Sequence, residues 1–263
     1  MIKQFSGGIF SGFKSNLRTM KKMMLSDFVS YQKAGQYMGN LPDTKYPPNK
    51  KQYLCGGTFT ISNFWYWANL PGFSGLMFWY GLDPNQPDGQ CFVGVEPKFN
   101  FLYDENSVST YKPSADIFLC PGLEFNFTLP IRRDFERFLR NDIRPVPILD
   151  RIISKADMQG YKANFLQNSF YKENHKYGMA YFSDFIEDQP QVKSFLKYFV
   201  TQGEVAFLRY YLGFEETSKG KFLRLILVPV DEKGKNTEVV TVSSRLFNDV
   251  QLLQKSWPPP PNS

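Results

Sequence analysis

In "IRRDFERFLRNDIR" the residues Arg133, Arg137, Arg140 and Arg144 recur at spacings of four, three and four, which on a helix aligns four guanidinium groups along one face. Planar guanidinium forks fit phosphate and carboxylate oxygens, so the chemistry on offer is docking of nucleic acid or of an acidic protein. Asp134, Glu136 and Asp142 are interleaved with the arginines, and ion pairing within the chain or a solvated charged face competes with that docking. A second candidate contact is the tail "QKSWPPPPNS". Its four prolines set φ at roughly −65° and favour an extended rod, and Trp257 before them is a large apolar anchor. Trp257, Pro258 and Pro259 are therefore expected to meet an aromatic-lined groove of this chain or a neighbour, against the alternative of a frayed terminus.

Other stretches fail when tested for chemistry. "GGIFSGFKS" puts Phe13 where a phosphate loop needs its lysine. "DPNQPDGQ" alternates acids and Asn as a calcium loop does, but Pro87 occupies a ligand position and the terminal Glu is missing. It reads as a surface turn. His175 sits in the polar stretch "FYKENHKYG", with no spacing that joins it to Cys55, Cys91 or Cys120 as a nucleophile pair or a metal set. The carboxylate pairs Glu215 with Glu216 and Asp184 with Asp188 could act as acid and base only if burial moved their pKa values. The expectation is no catalytic constellation and no cofactor, which leaves an enzyme only if its site is split between distant segments.

Basicity is local. Residues 1–60 carry nine Lys or Arg and two Asp, whereas the whole chain is at +6, so the remainder is close to neutral. Residues 1–23 form a basic N-terminal segment, and Leu17, Met20, Met24 and Phe28 make an apolar stripe beside it. The start lacks a continuous apolar signal region, the longest apolar run is "LRLILVPV", and the three cysteines are odd in number. This predicts a cytoplasmic protein with no transmembrane segment and reduced cysteines.

The elements that must position these residues recur. "LSDFVSYQKAGQYMGN" aligns with "ISKADMQGYKANFLQN" at an offset of 128, "WYGLD" with "YLGFE" at 132, "FVGVEPK" with "LVPVDEK" at 135, and Cys120 with Trp257 at 137. The common order predicts a tandem duplication, with Gly81 falling on Gly213 and Val95 on Val230. "GLMFWYGL" with "QCFVGVEP", and "EVAFLRYYLGFE" with "KFLRLILVPVDE", read as hairpins; "SNFWYWANLPG" reads as a helix cut short by Pro71 and Gly72, and "DQPQVKSFLKYFVTQG" as a longer helix. The expected fold is α+β, with two tandem similar units at 24–130 and 152–263, each with helices on a small antiparallel sheet, joined by a linker helix over 131–151.

The succession "YLGFE", "LVPVDEKGK" and a closing proline cluster resembles a group of uncharacterised bacterial proteins with a strand ending in "GLD", a strand like "LVPVD.NGK" and a terminal "CPP". Trp257 stands where that group has its cysteine. The resemblance implies no activity. The expected function is a non-enzymatic protein-interaction or assembly component, with a nucleic-acid-binding module and an enzyme with a site between the units as alternatives.

Overall fold

The structure is a computed structural model and describes residues 28–40, 54–85, 91–101, 110–128, 134–168, 178–183, 205–218, 220–237 and 253–255. Arg133, His175, the helix expected over 188–203 and the tail from Trp257 to Pro259 lie outside the described residues, as do residues 1–27.

Two hairpins are the frame. β3 (Phe73–Leu82) pairs with β4 (Cys91–Phe99), and β9 (Phe207–Thr217) pairs with β10 (Gly220–Val230). Side chains on a strand alternate between faces, and here both faces are apolar. Leu76, Phe78, Tyr80 and Leu82 of β3 share one cluster with Leu208, Tyr210, Leu212 and Phe214 of β9, whereas Met77, Trp79 and Tyr211 belong to other clusters. Strands buried on both faces need a layer on each side. The hairpins face one another, and helices cover their outer faces.

One sheet has the order β1-β11-β10-β9-β2-β6, using β1 (Phe28–Val29), β2 (Leu54–Thr60), β6 (Asn126–Thr128) and β11 (Leu253–Lys255). The other has β7-β5-β4-β3-β8, using β5 (Ile117–Cys120), β7 (Arg151–Ser154) and β8 (Met179–Ser183). All the named pairings are antiparallel. The protein is thus a mixed α+β fold with two antiparallel sheets. Each sheet draws strands from both halves of the chain, so the sheets do not coincide with the units expected over 24–130 and 152–263. The chain leaves the first sheet after β2, crosses through α2 (Ser62–Ala68) and builds β3 in the second.

α1 (Tyr31–Gly39) is opened by Ser30, whose hydroxyl accepts from the Lys33 amide at 3.1 Å. α4 (Lys155–Gln167) is opened by Ser154 in the same way, from the Asp157 amide at 3.1 Å. Tyr31, Ala34, Tyr37 and Met38 of α1 pack with Tyr211, Ile226 and Val228 on the outer face of the first sheet; Met158 of α4 packs with Met77, Trp79 and Phe92 on that of the second.

The linker helix is shorter than expected. α3 covers only Phe135–Asn141, and Asp142 turns extended with ψ 122°. Arg144 precedes Pro145, whose ring disfavours helical backbone in the residue before it. The four arginines consequently do not line one helix face: Arg137 and Arg140 are on α3, and Arg144 lies beyond its end. In the hairpin ladders Val95 faces Phe78, Leu227 faces Tyr210 and Val230 faces Phe207. With Gly81 matched to Gly213, Val95 falls on Leu227 and not on Val230.

Candidate interaction surface

The buried charges come first, because burial is one way a titratable group is shifted toward catalytic use. Arg209 is fully buried on the outer face of β9. Its Nε donates to Thr58 Oγ1 at 2.9 Å, Nη1 to Asn236 Oδ1 at 2.9 Å and Nη2 to the Gly234 carbonyl at 3.1 Å. Asp142 Oδ2 lies 3.8 Å from Nη1 and accepts from Tyr211 Oη at 2.6 Å and Arg144 Nε at 2.8 Å. Asn236 Nδ2 donates to Leu139 O and to Tyr211 Oη. Burial, ahead of the Asp142 carboxylate, pushes the Tyr211 hydroxyl above its usual range. Each member is matched, and removing one partner from such a buried set costs about 3–5 kcal/mol. The network ties α3 and the 231–237 turn to the first sheet.

The second sheet carries a similar arrangement. Fully buried Glu96 accepts from Trp79 Nε1 at 2.9 Å, from the Ser114 and Ala115 amides at 3.0 and 2.7 Å, and from Ser114 Oγ at 3.1 Å. Lys98 Nζ is 2.6 Å from Glu96 and 2.8 Å from Ser114 Oγ. Lysine beside serine is the pair a Ser–Lys hydrolase uses, but here the ammonium is committed to Glu96. Lys162 Nζ lies over the same indole, 4.3 Å from the ring centre, and burial lowers its amine to about 8.

Elsewhere Glu215 accepts from Tyr37 Oη at 2.8 Å and pairs with nearly buried Arg224 at 2.7 Å. Burial, then Glu215, raises the Tyr37 hydroxyl. The Cys120 thiol is fully enclosed and pushed up by burial, which makes it a poor nucleophile. Among the described residues no three His, Cys, Asp or Glu side chains are grouped to hold a metal.

The sequence-predicted arginines are largely used within the chain. Arg140 is bound to Glu136 at 2.8 Å and stacks on Tyr31; Arg144 is bound to Asp142 and stacks 3.9 Å from Phe127. Arg137 is exposed. The structure therefore does not gather them as one cationic comb.

What the surface does gather is apolar. Ile148 is 90% exposed, Leu149 78% and Ile152 60%. Ile117 is exposed too and lies on the same face as Ile152, diagonally across the β5–β7 pairing. β7 is the last strand of its sheet among the described residues, with no described partner on its outer edge. Asp150, between Leu149 and β7, accepts from the Thr60 amide at 3.0 Å and its hydroxyl at 2.6 Å, and also bonds Asn63. Burial raises the Asp150 carboxyl, against those hydrogen bonds. Through Asn63 the start of α2 is held beside this connection, and α2 presents exposed Trp65 and Tyr66. Aromatic and aliphatic side chains left in water at a sheet edge are what a protein partner covers.

Sequence reading did not single out Trp65, Tyr66, Ile148, Leu149 or Ile152. The available signal was "PVPILD", where two prolines disfavour continuation of the preceding helix and aliphatic residues follow them. Comparison with protein-family models, with curated proteins and with solved structures finds no match to this chain.

Proposed function

We propose that the chain is a non-enzymatic protein-interaction or assembly component whose contact face is formed by Trp65, Tyr66, Ile117, Ile148, Leu149 and Ile152. The observation that carries the reading is the exposure of Ile148, Leu149 and Ile152 along β7 and the connection before it, a strand with no described partner on its outer edge, with Ile117 exposed on its neighbour β5 and Trp65 and Tyr66 exposed on α2. The buried charges are compatible with it, since Arg209 and Asp142 share partners in one network and Glu96 is bound to Trp79 and Lys98 in another. The proline tail at Trp257, Pro258 and Pro259 remains a second contact in this proposal, and membership of the bacterial group with the "GLD" and "LVPVD" strands remains part of it.

The proposal includes the tandem duplication, with its halves exchanged. Asn40 Nδ2 donates to the Phe214 carbonyl, and Asn164 Nδ2 donates to the Leu82 carbonyl. Gly213 lies against the backbone of Tyr37 and Met38, and Gly81 against Tyr161 and Met158. The cap serines are 124 positions apart, as are Asn40 and Asn164, which supports an offset of 124 in this segment in place of 128. The hairpin ladders agree at 132 from the Gly75–Lys98 pair to the Leu82–Cys91 pair. In each case the helix of one half lies on the hairpin of the other.

Arg140 and Arg144 are bound within the chain, which weighs against the nucleic-acid alternative. The test is the mass of the native particle purified from its own cell at moderate salt. An assembly heavier than the 30.5 kDa chain is expected; a lone monomer under those conditions contradicts the reading.

A further inference from the structure

Lys162 is seated against Trp79 and Gly178. α4 carries it over β3, with Nζ 4.3 Å from the centre of the Trp79 indole. That ring is fully buried and is itself held by Glu96, which accepts from its Nε1 at 2.9 Å. Gly178, just before β8, lies along the lysine stem: a Cβ there would stand 2.8 Å from Lys162 Cγ and 3.0 Å from Cε. The Tyr80 amide donates to the Gly178 carbonyl at 2.9 Å, and Met179 pairs with Trp79, so this backbone is fixed to β3. β3 and β8 contain no charged residue. Of the acids on adjoining elements, Glu96 is bound to Lys98 and Asp157 to Ser154. The amine thus rests on an aromatic face and bare backbone, with no acid bound to it among the described residues.

We propose that Lys162 is a modification site, a nucleophilic amine that accepts a small acyl group from an acyl phosphate. The inference is independent of the interaction surface and goes beyond it. A lysine is a nucleophile only as the neutral amine, and an apolar seat without a paired acid favours that form. Burial accordingly lowers this amine to about 8. In the transfer the Nζ lone pair attacks the acyl carbonyl carbon and the N–C bond forms. The bond from that carbon to the phosphate oxygen breaks, its electron pair leaves on phosphate, and Nζ gives one proton to water. No described base is bonded to Nζ to assist, so the donor must be one that reacts with a bare amine, as an acyl phosphate does. The product is an uncharged planar amide, which an indole face accommodates without the cost of desolvating an ammonium.

Competitive labelling of the native protein with acetyl phosphate, kept below one equivalent near neutral pH and followed by peptide mass spectrometry, reads the site. Exposed Lys112 and Lys233 are the references. Lys162 is expected to be acetylated about tenfold faster than either, its larger neutral fraction being partly offset by the lower basicity of the amine. In denaturant the three should react alike. Gly178→Ala places a methyl where the lysine stem now lies, so it should move the amine off the indole and bring Lys162 down to the rate of Lys112. Equal rates in the native wild type overturn the proposal, as does a preference that survives denaturant or one that is unchanged in Gly178→Ala. Particle size plays no part in this readout, so its failure leaves the interaction reading standing.

Discussion

Lys162 is a residue whose titration is displaced by burial alone. Its amine lies over Trp79 and is lowered by burial to about 8, against about 10.4 for a free lysine. The unfolded chain therefore binds more protons between about pH 8 and about pH 10, and this residue's contribution makes stability rise with pH through that window. Below it the charged form is held in a partly buried site at a cost. Lys162→Met keeps the stem packing and removes the charge, so the variant is expected to melt above the wild type at neutral pH. The gap should close as pH rises toward about 10. Thermal melts of both proteins across that range check it, and a gap that does not vary with pH contradicts it. Neither this residue nor the Glu96–Lys98 pair was legible beforehand, because burial and the Trp79 contact arise from strands and a helix that are distant in sequence. The Arg spacing was legible, but its outcome was not: Asp142 is drawn to Tyr211 and Pro145 follows Arg144, so the helix ends before the fourth arginine.

At the scale of elements, helix seats decide the packing. A Cβ at Gly213 would lie 2.7 Å from the Tyr37 backbone carbon and 2.9 Å from the Met38 amide nitrogen, so α1 as a whole would have to rise from the sheet. At Gly81 the nearest atoms are the Phe92 ring tip at 2.8 Å and Tyr161 Cβ at 3.0 Å, where a ring rotation relieves part of the clash. Gly213→Ala is therefore expected to destabilise by about 2–3 kcal/mol and Gly81→Ala by about 1 kcal/mol. Denaturant unfolding measures both, and equal losses would contradict the two seats as described. The hairpins were readable from their aromatic and branched residues, whereas the helix starts at Ser30 and Ser154 were not singled out. Which helix lies on which hairpin was not readable. Local periodicity says that a face is apolar and is silent about the distant strand that covers it.

For the whole molecule, the two sheets are joint products of both halves, and the apolar side chains left over sit where the halves connect. The recurring segments favoured two successive units; the crossing through α2 and the return through residues 142–150 instead give each sheet strands from both halves. The central claim is that the face around Ile148 and Leu149 is the working surface. Replacing both by charge, Ile148→Glu with Leu149→Glu, alters side chains that are 90% and 78% exposed, so the fold should be unaffected and only the contact should suffer. Sedimentation velocity of the wild type and this double variant tests it most directly. The account predicts that the wild type sediments as an assembly and the variant at the 30.5 kDa chain mass, with the same melting temperature; a wild type and a variant of identical particle size would contradict it.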